Sequence, residues 1–266
     1  MSASTETGLI GYRQEGRIAV ITLNRPEKLN AFNDEMVRDL AAALRRFDID
    51  PEADVAIIRG NGRAFSSGAD VIQRQLRSRE EFQQHGGPQG WGANASDLLT
   101  RAVNWKPVIA APHGYAIGMG LGLVLECDLI VAEAGTRLQV TETRRGLAPS
   151  RYWALLHFRG GAGLAVDATL TGRYFTAEEA FESKVVNRLA PVGEGLSAAM
   201  ELAGQILQNP PLSVRAAVRT RRWYMEQAER EAYLQTVPLK LHLSEDFAES
   251  ARAFAEKRKP APFKGR

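Results

Sequence analysis

An α/β fold is predicted for this 266-residue chain by three features: short apolar runs rich in β-branched residues, helix-period segments between them, and Asn, Gly or Pro at the joints. Ile18 to Leu23 reads as a strand that ends at the turn signal Asn24-Arg25-Pro26. Asn33 is placed to cap a helix with Met36, Leu40, Ala43, Leu44 and Phe47 on one face, and Pro51 stops it. Val55 to Ile58 is a short buried strand before the loop Gly60-Asn61-Gly62. Val108 to Ala111 is a second, running into His113-Gly114. An apolar helix then leads to Cys127, followed by a third strand, Leu129 to Ala132. The strands are unevenly spaced, and two of them end in glycine turns rather than crossover helices. Beyond residue 195 the chain reads as helical to its end, with stops at Asn209-Pro210-Pro211 and at Pro260. Two regions follow, a core over residues 8–195 and a helical region over 196–266. Gln83 to Ala95 reads as a flexible loop.

With 44% apolar and 24% charged residues the chain has enough apolar material for one large core and is not disordered. A net charge of +3 gives no broad electrostatic footprint for nucleic acid, and no aromatic-plus-basic module accompanies it. The single cysteine, Cys127, excludes an intrachain disulfide and fits a reducing compartment. No apolar run reaches membrane-spanning length and the N-terminal residues do not read as a signal peptide, so a cytoplasmic protein is expected. No His/Cys/Asp cluster has metal-ligand spacing.

Two segments carry chemistry. Arg63 to Asp70 (RAFSSGAD) is a strand end feeding a small-residue turn, with Asp70 placed to cap the next helix. Gly114 to Gly122 (GYAIGMGLG) fails the dinucleotide spacing because position 123 is Leu, yet it leaves free N–H groups at a helix start. If the two loops face each other they supply two donors to one carbonyl oxygen, an oxyanion hole.

These loops resemble the two hallmark loops of the crotonase (enoyl-CoA hydratase/isomerase) superfamily, and the likeness covers nearly the whole chain. Asn24 to Ala31 (NRPEKLNA), Leu170 to Ala180 (LTGRYFTAEEA), Val186-Asn187, and Ala253 to Lys259 (AFAEKRK) with Phe263-Lys264-Gly265 match further segments in order. The resemblance implies a spiral of strand–strand–helix units with a helical C-terminal trimerisation region, assembling as a trimer or hexamer. It implies an acyl-CoA thioester substrate, coenzyme A being part of the substrate and no other cofactor being needed. The backbone N–H groups of Ala69 and Met119 would polarise the thioester carbonyl. Lys28, Leu29 and Ser67 would line the nucleotide and pantetheine arm. Phe254 and Lys257 of a neighbouring subunit would close over the adenosine and its phosphates.

Hydratases of this family hold water between two glutamates. The first position is Gly122 here, and the second is Glu142, in VTETRRGLAP. A further carboxylate position used by double-bond-shifting relatives is Ser150. One base moves a proton between carbons but is a poorer arrangement for activating water, so isomerisation or other single-base enolate chemistry is expected beside hydration. Arg144, Arg145, Trp153, His113 and His85 are candidates to replace the missing group, and bulk from Trp153 or from the substrate is one reason for glycine at 122. Two rivals stay open: a non-catalytic acyl-CoA-binding protein, and a hydrolase cleaving a carbon–carbon bond without coenzyme A.

Overall fold

The computed structural model describes residues 8–85, 99 and 102–266. Nine strands form two sheets among these residues. The larger runs β1 (Ile10–Glu15), β2 (Ile18–Leu23), β3 (Val55–Gly60), β4 (Val108–Ala111), β6 (Leu129–Glu133), β9 (Arg188–Ala190) in that spatial order. It is parallel except for the β1–β2 hairpin. The smaller sheet holds β5 (Tyr115–Ile117), β7 (Arg137–Gln139) and β8 (Tyr174–Thr176). The uneven spacing noted above is the trace of a repeat. Strand β4 passes through a glycine turn into β5 and then helix α4 (Met119–Glu126). Strand β6 passes into β7 and then α5 (Ser150–Phe158). Two earlier turns follow the same path with a single bridge in place of the second strand. β2 leads to Phe32 and α1 (Asp34–Ile49), and β3 leads to Ser66 and α2 (Val71–Gln75), with bridges Phe32–Ala69 and Ser66–Ala116. This is the expected spiral of strand–strand–helix units.

Apolar alternation accounts for the packing. The Asn33 carboxamide accepts from Met36 N at 2.8 Å and starts α1, whose Met36, Val37, Leu40, Leu44 and Phe47 are buried against the sheet. On the opposite face Ile18, Val55, Ile57, Ile109 and Val131 meet Ala199, Leu202 and Ala203 of α8 (Gly195–Leu207), so the core continues past residue 195. Short helices α3 (Arg79–His85), α6 (Ala162–Thr171) and α7 (Ala177–Glu182) complete the shell.

Helix α9 (Pro211–Thr236) lies across α5, and its buried Arg222 bonds Asp128 in the interior. The last helix, α10 (Glu245–Ala255), stops five residues before Pro260, earlier than expected. The cause is a set of side-chain anchors. Glu249 receives Ala261 N at 2.7 Å and pairs with Arg258, and Asp246 receives the N–H groups of Lys264 and Gly265, both at 2.8 Å. The tail therefore folds back along α10, with Lys257 in the left-handed region at φ 54°. Of the expected loop 83–95, Gln83 to His85 belong to α3 and the remainder lies outside the described residues.

Candidate active site

The segment Asn24 to Ala31 folds into a compact knot. Asn30 is fully buried; its side chain accepts from Arg25 N at 2.8 Å and donates to the carbonyls of Asn61 and Ala64. Both Leu29 and Asn30 take left-handed backbone, φ 51° and 54°, which turns the chain tightly enough to meet the next loop. Ser67 N bonds Leu29 O at 2.9 Å, and Ser66 Oγ bonds Asn30 O at 2.8 Å.

The two glycine loops are zipped together. Ser66 N donates to Tyr115 O and Ile117 N donates to Ser66 O, both at 3.0 Å. Glycine is required where they touch. A methyl group at Gly120 would come within 2.7 Å of Ser66 Cβ. At Gly68, φ 97°, it would come within 2.7 Å of Ile117 O and 3.5 Å of Met119 N.

The pleat of this junction directs the donors. Phe32 bonds Gly68 O and Asp70 N at 2.8 and 2.9 Å, so the intervening Ala69 N–H points to the opposite side. Met119 opens α4, and an N–H in a first helical turn has no partner within its own helix. Gly118 holds it in place through Gly118 N to Gln139 O, 3.0 Å.

Both loops line one cavity of about 630 Å³ with Lys28, Ser67, Glu142, Arg145, Arg151, Tyr152 and Phe254 among its walls. Asp70 also lines it, but its carboxylate is occupied by Arg25 at 2.9 Å and by the cap of α2. That leaves Glu142 as the lining carboxylate available for proton transfer. It stands just before a short 3-10 turn, Thr143–Arg145, closed by Gly146 at φ 72°. Its Oε2 is shut off from solvent with no partner among the described residues. Burial pushes its carboxyl up to about 7, against the opposing pull of the Tyr152 hydroxyl and of the Arg145 charge.

The space beside Gly122 is not filled by Trp153. A Cβ at Gly122 would meet Arg151 Nη1 at 3.0 Å and Tyr152 Oη at 3.4 Å. Trp153 instead stacks on His157, centroids 4.9 Å apart, because one residue further along α5 faces away. Arg151 is held by Glu229 at 2.9 Å and by an ion pair with the fully buried Glu126. Arg151 and Tyr152 escaped the sequence reading; their place two and three residues after Pro149, in the first turn of α5, was the available signal.

Of the other expected residues, Leu29 does not line the cavity and contributes through its backbone turn. Phe254 lines the cavity of its own chain, under Arg145 at 3.9 Å, where a neighbouring subunit had been expected to supply it. The reason is that α10 docks against the 3-10 turn beside Glu142 and against α2 of the same chain. Lys257 is exposed and outside the cavity wall. Arg145 faces the cavity, whereas Arg144 is exposed and packs against Gly172. His113 is spent on Gly62 O at 2.9 Å, and His85 ends α3 outside the wall. Among the described residues no group of three or more His, Cys, Asp or Glu is placed to hold a metal, and no helix is long and apolar enough to cross a membrane.

Comparison with known proteins places this geometry in a family. The sequence family described as enoyl-CoA hydratase/isomerase matches residues 13–266. The chain is 34% identical to "Enoyl-CoA hydratase EchA19" of Mycobacterium tuberculosis, covering 93% of each. It is 33% identical to "2,3-dehydroadipyl-CoA hydratase" of Escherichia coli, covering 97% of this chain and 99% of that one. Among solved structures, an enoyl-CoA hydratase/isomerase from Pseudoalteromonas atlantica aligns with TM-score 0.81 at 27% identity, over 96% of this chain and all of that one. An enoyl-CoA hydratase from Mycobacterium tuberculosis aligns with TM-score 0.69 at 35% identity, over 95% of this chain and 98% of that one. With the hallmark loops, the spiral and these relatives in agreement, this chain belongs to the enoyl-CoA hydratase/isomerase family of the crotonase superfamily.

Proposed function

We infer that the protein moves a proton at the α-carbon of an acyl-CoA thioester, with Glu142 as the single base and the Ala69 and Met119 N–H groups as the oxyanion hole. Enolate formation builds negative charge on the thioester oxygen. Two fixed donors there stabilise that charge more than the neutral carbonyl of the ground state. The observation that carries the reading is Glu142 itself. It is the carboxylate on the cavity wall that no cation pairs with among the described residues, and its acidity lies close to neutral, where a base exchanges protons most effectively. Double-bond isomerisation needs only this one carrier. The names of the relatives favour hydration as a second reading. Offering the enzyme α,β- and β,γ-unsaturated acyl-CoA thioesters separates the two: hydration consumes the first with loss of the enoyl absorbance, and isomerisation interconverts them. No turnover of either, with CoA-thioester binding intact, would leave a binding protein; no affinity for CoA would leave the carbon–carbon hydrolase.

Coenzyme A enters past Lys28 and Ser67, where the side chain of Lys28 is exposed at the cavity rim. Lys257, three residues beyond Phe254, is the second candidate for the phosphates. Lys28→Ala is expected to raise the dissociation constant for CoA thioesters about three- to tenfold at low ionic strength, a difference that shrinks as salt screens the exposed charge. Isothermal titration at two salt concentrations checks this, and equal affinity at low salt would remove Lys28 from the site. Assembly as a trimer or hexamer is part of the same reading. A monodisperse monomer at micromolar concentration would count against it, though the seat of Phe254 would survive.

A further inference from the structure

A second cavity, of about 470 Å³, lies where the end of α2 meets α3 and α10. Gln75 lines both this cavity and the catalytic one, so the two share a wall. Exposed apolar side chains lead from one to the other. Ile72, 72% exposed, lines the catalytic cavity, and Leu76, 41% exposed, lines the second. Four residues apart, they share one face of α2 and form an apolar track. The track ends in positive charge. Arg77, Arg79 and Arg252 line the second cavity, and no Asp or Glu does among the described residues. Nearby carboxylates are already engaged. Asp34 is shared by Arg74 and Arg77 at 2.8 and 2.5 Å, Glu81 accepts from Ser78 N at 2.7 Å, and Glu249 holds Arg258 and Ala261 N. Arg79 and Arg252 form no ion pair among the described residues, and Arg77 Nη1 is shut off from solvent without a partner among them. Guanidinium groups in excess of their carboxylates, beside the packed rings of Phe82 and Phe247, make a seat for a planar anion.

We propose that the second cavity receives the distal end of the acyl chain and that this end carries a carboxylate. The substrate class is then the CoA thioester of a medium-chain dicarboxylic acid. The proposal deepens the acyl-CoA reading and rests on it. Helix α2 starts just after Ala69 and, at 1.5 Å per residue, is about 7 Å long. A carboxylate on the carbons next to the thioester therefore does not reach the arginines, whereas one at the far end of an extended chain does. Ile72 and Leu76 cover the methylene groups on the way, and Arg77, Arg79 and Arg252 take the terminal charge. Selectivity follows from what the wrong substrate leaves undone. A chain that ends in a methyl group or an ester gains the same apolar contact but leaves the guanidinium donors unmet.

Calorimetric titration of the full chain with matched saturated thioesters tests this: suberyl-CoA against its ω-methyl ester, and succinyl-CoA against its own methyl ester. The parent protein should bind suberyl-CoA at least about tenfold more tightly than the ester at low ionic strength, the scale of a hydrogen bond to a charged group. The short pair should show no such preference, because its carboxylate stays within the catalytic cavity. Arg79→Gln and Arg252→Gln should each narrow the suberyl preference about threefold, as expected for exposed charges, and Arg79→Glu should abolish it. Each preference is a ratio measured on one protein, and the chain-length comparison needs no variant at all. Equal binding of suberyl-CoA and its ester, an undiminished preference in the arginine variants, or the same preference for succinyl-CoA would overturn the assignment. The last result would move the anion to a cation of the catalytic cavity such as Arg145. Binding of none of the four thioesters would instead overturn the acyl-CoA reading, and this proposal with it.

Discussion

Glu142→Gln is expected to lower turnover of the true acyl-CoA substrate by at least about 10²-fold while leaving thioester affinity within about twofold. The amide keeps the shape of the side chain but accepts no proton, and on the proposed reading the carbonyl is held by backbone groups of other residues. The same substitution should raise stability, and its pH dependence has a definite sign. The folded-state carboxyl is raised from 4.5 to about 7 by burial, so between those values the folded chain keeps a proton that the unfolded chain releases. The parent therefore loses stability as pH rises through that window, up to about 3 kcal/mol at 1.36 kcal/mol per unit. Gln carries no such penalty, so the variant should match the parent near pH 4 and exceed it at pH 8 in denaturant titrations. The parent's kcat/KM should rise with pH through about 7 as the base loses its proton. Undiminished turnover by the variant would place the base elsewhere.

Gly68→Ala should reduce turnover by 10²- to 10³-fold, the cost of losing an oxyanion donor. At φ 97° the new methyl group is strained before any contact, and it would press on Ile117 O at 2.7 Å, against the loop that presents Met119. Whichever loop yields, the two N–H groups stop converging, and fixed donors a fraction of an ångström out of place lose most of their advantage. Stability should fall less than activity, because the displaced groups face the cavity rather than the core. Kinetics beside thermal unfolding measures both, and near-parent turnover by a folded variant would mean that Ala69 and Met119 do not share one oxygen.

What could be read from the sequence divides by how local its cause is. The Asn33 cap, the strand β2 and the glycine loop ahead of α4 were legible because each signal lies within a few residues of its effect. Glu142 was legible through the register set by Gly146 and Pro149. Strands β5, β7 and β8, three residues each, are too short for any periodicity, and they exist because of pairing partners more than twenty residues away. Phe254, expected from a neighbouring subunit, lines the cavity of its own chain because α10 docks on the turn beside Glu142, a tertiary event that no local signal announces. Tyr152 and Arg151 carried no motif. Their meaning comes from the first turn of α5 facing Gly122, thirty residues away, and only the folded helix pair shows that the missing carboxylate's place is taken.

The most direct test of the central claim is a crystal structure of the protein with a non-hydrolysable acyl-CoA thioester analogue. The account predicts the carbonyl oxygen about 3 Å from both Ala69 N and Met119 N. It also predicts the α-carbon facing the Glu142 carboxylate, with the coenzyme A arm leaving past Lys28 and Ser67. A carbonyl held by other groups, or an acyl chain whose α-carbon lies out of reach of Glu142, would contradict it.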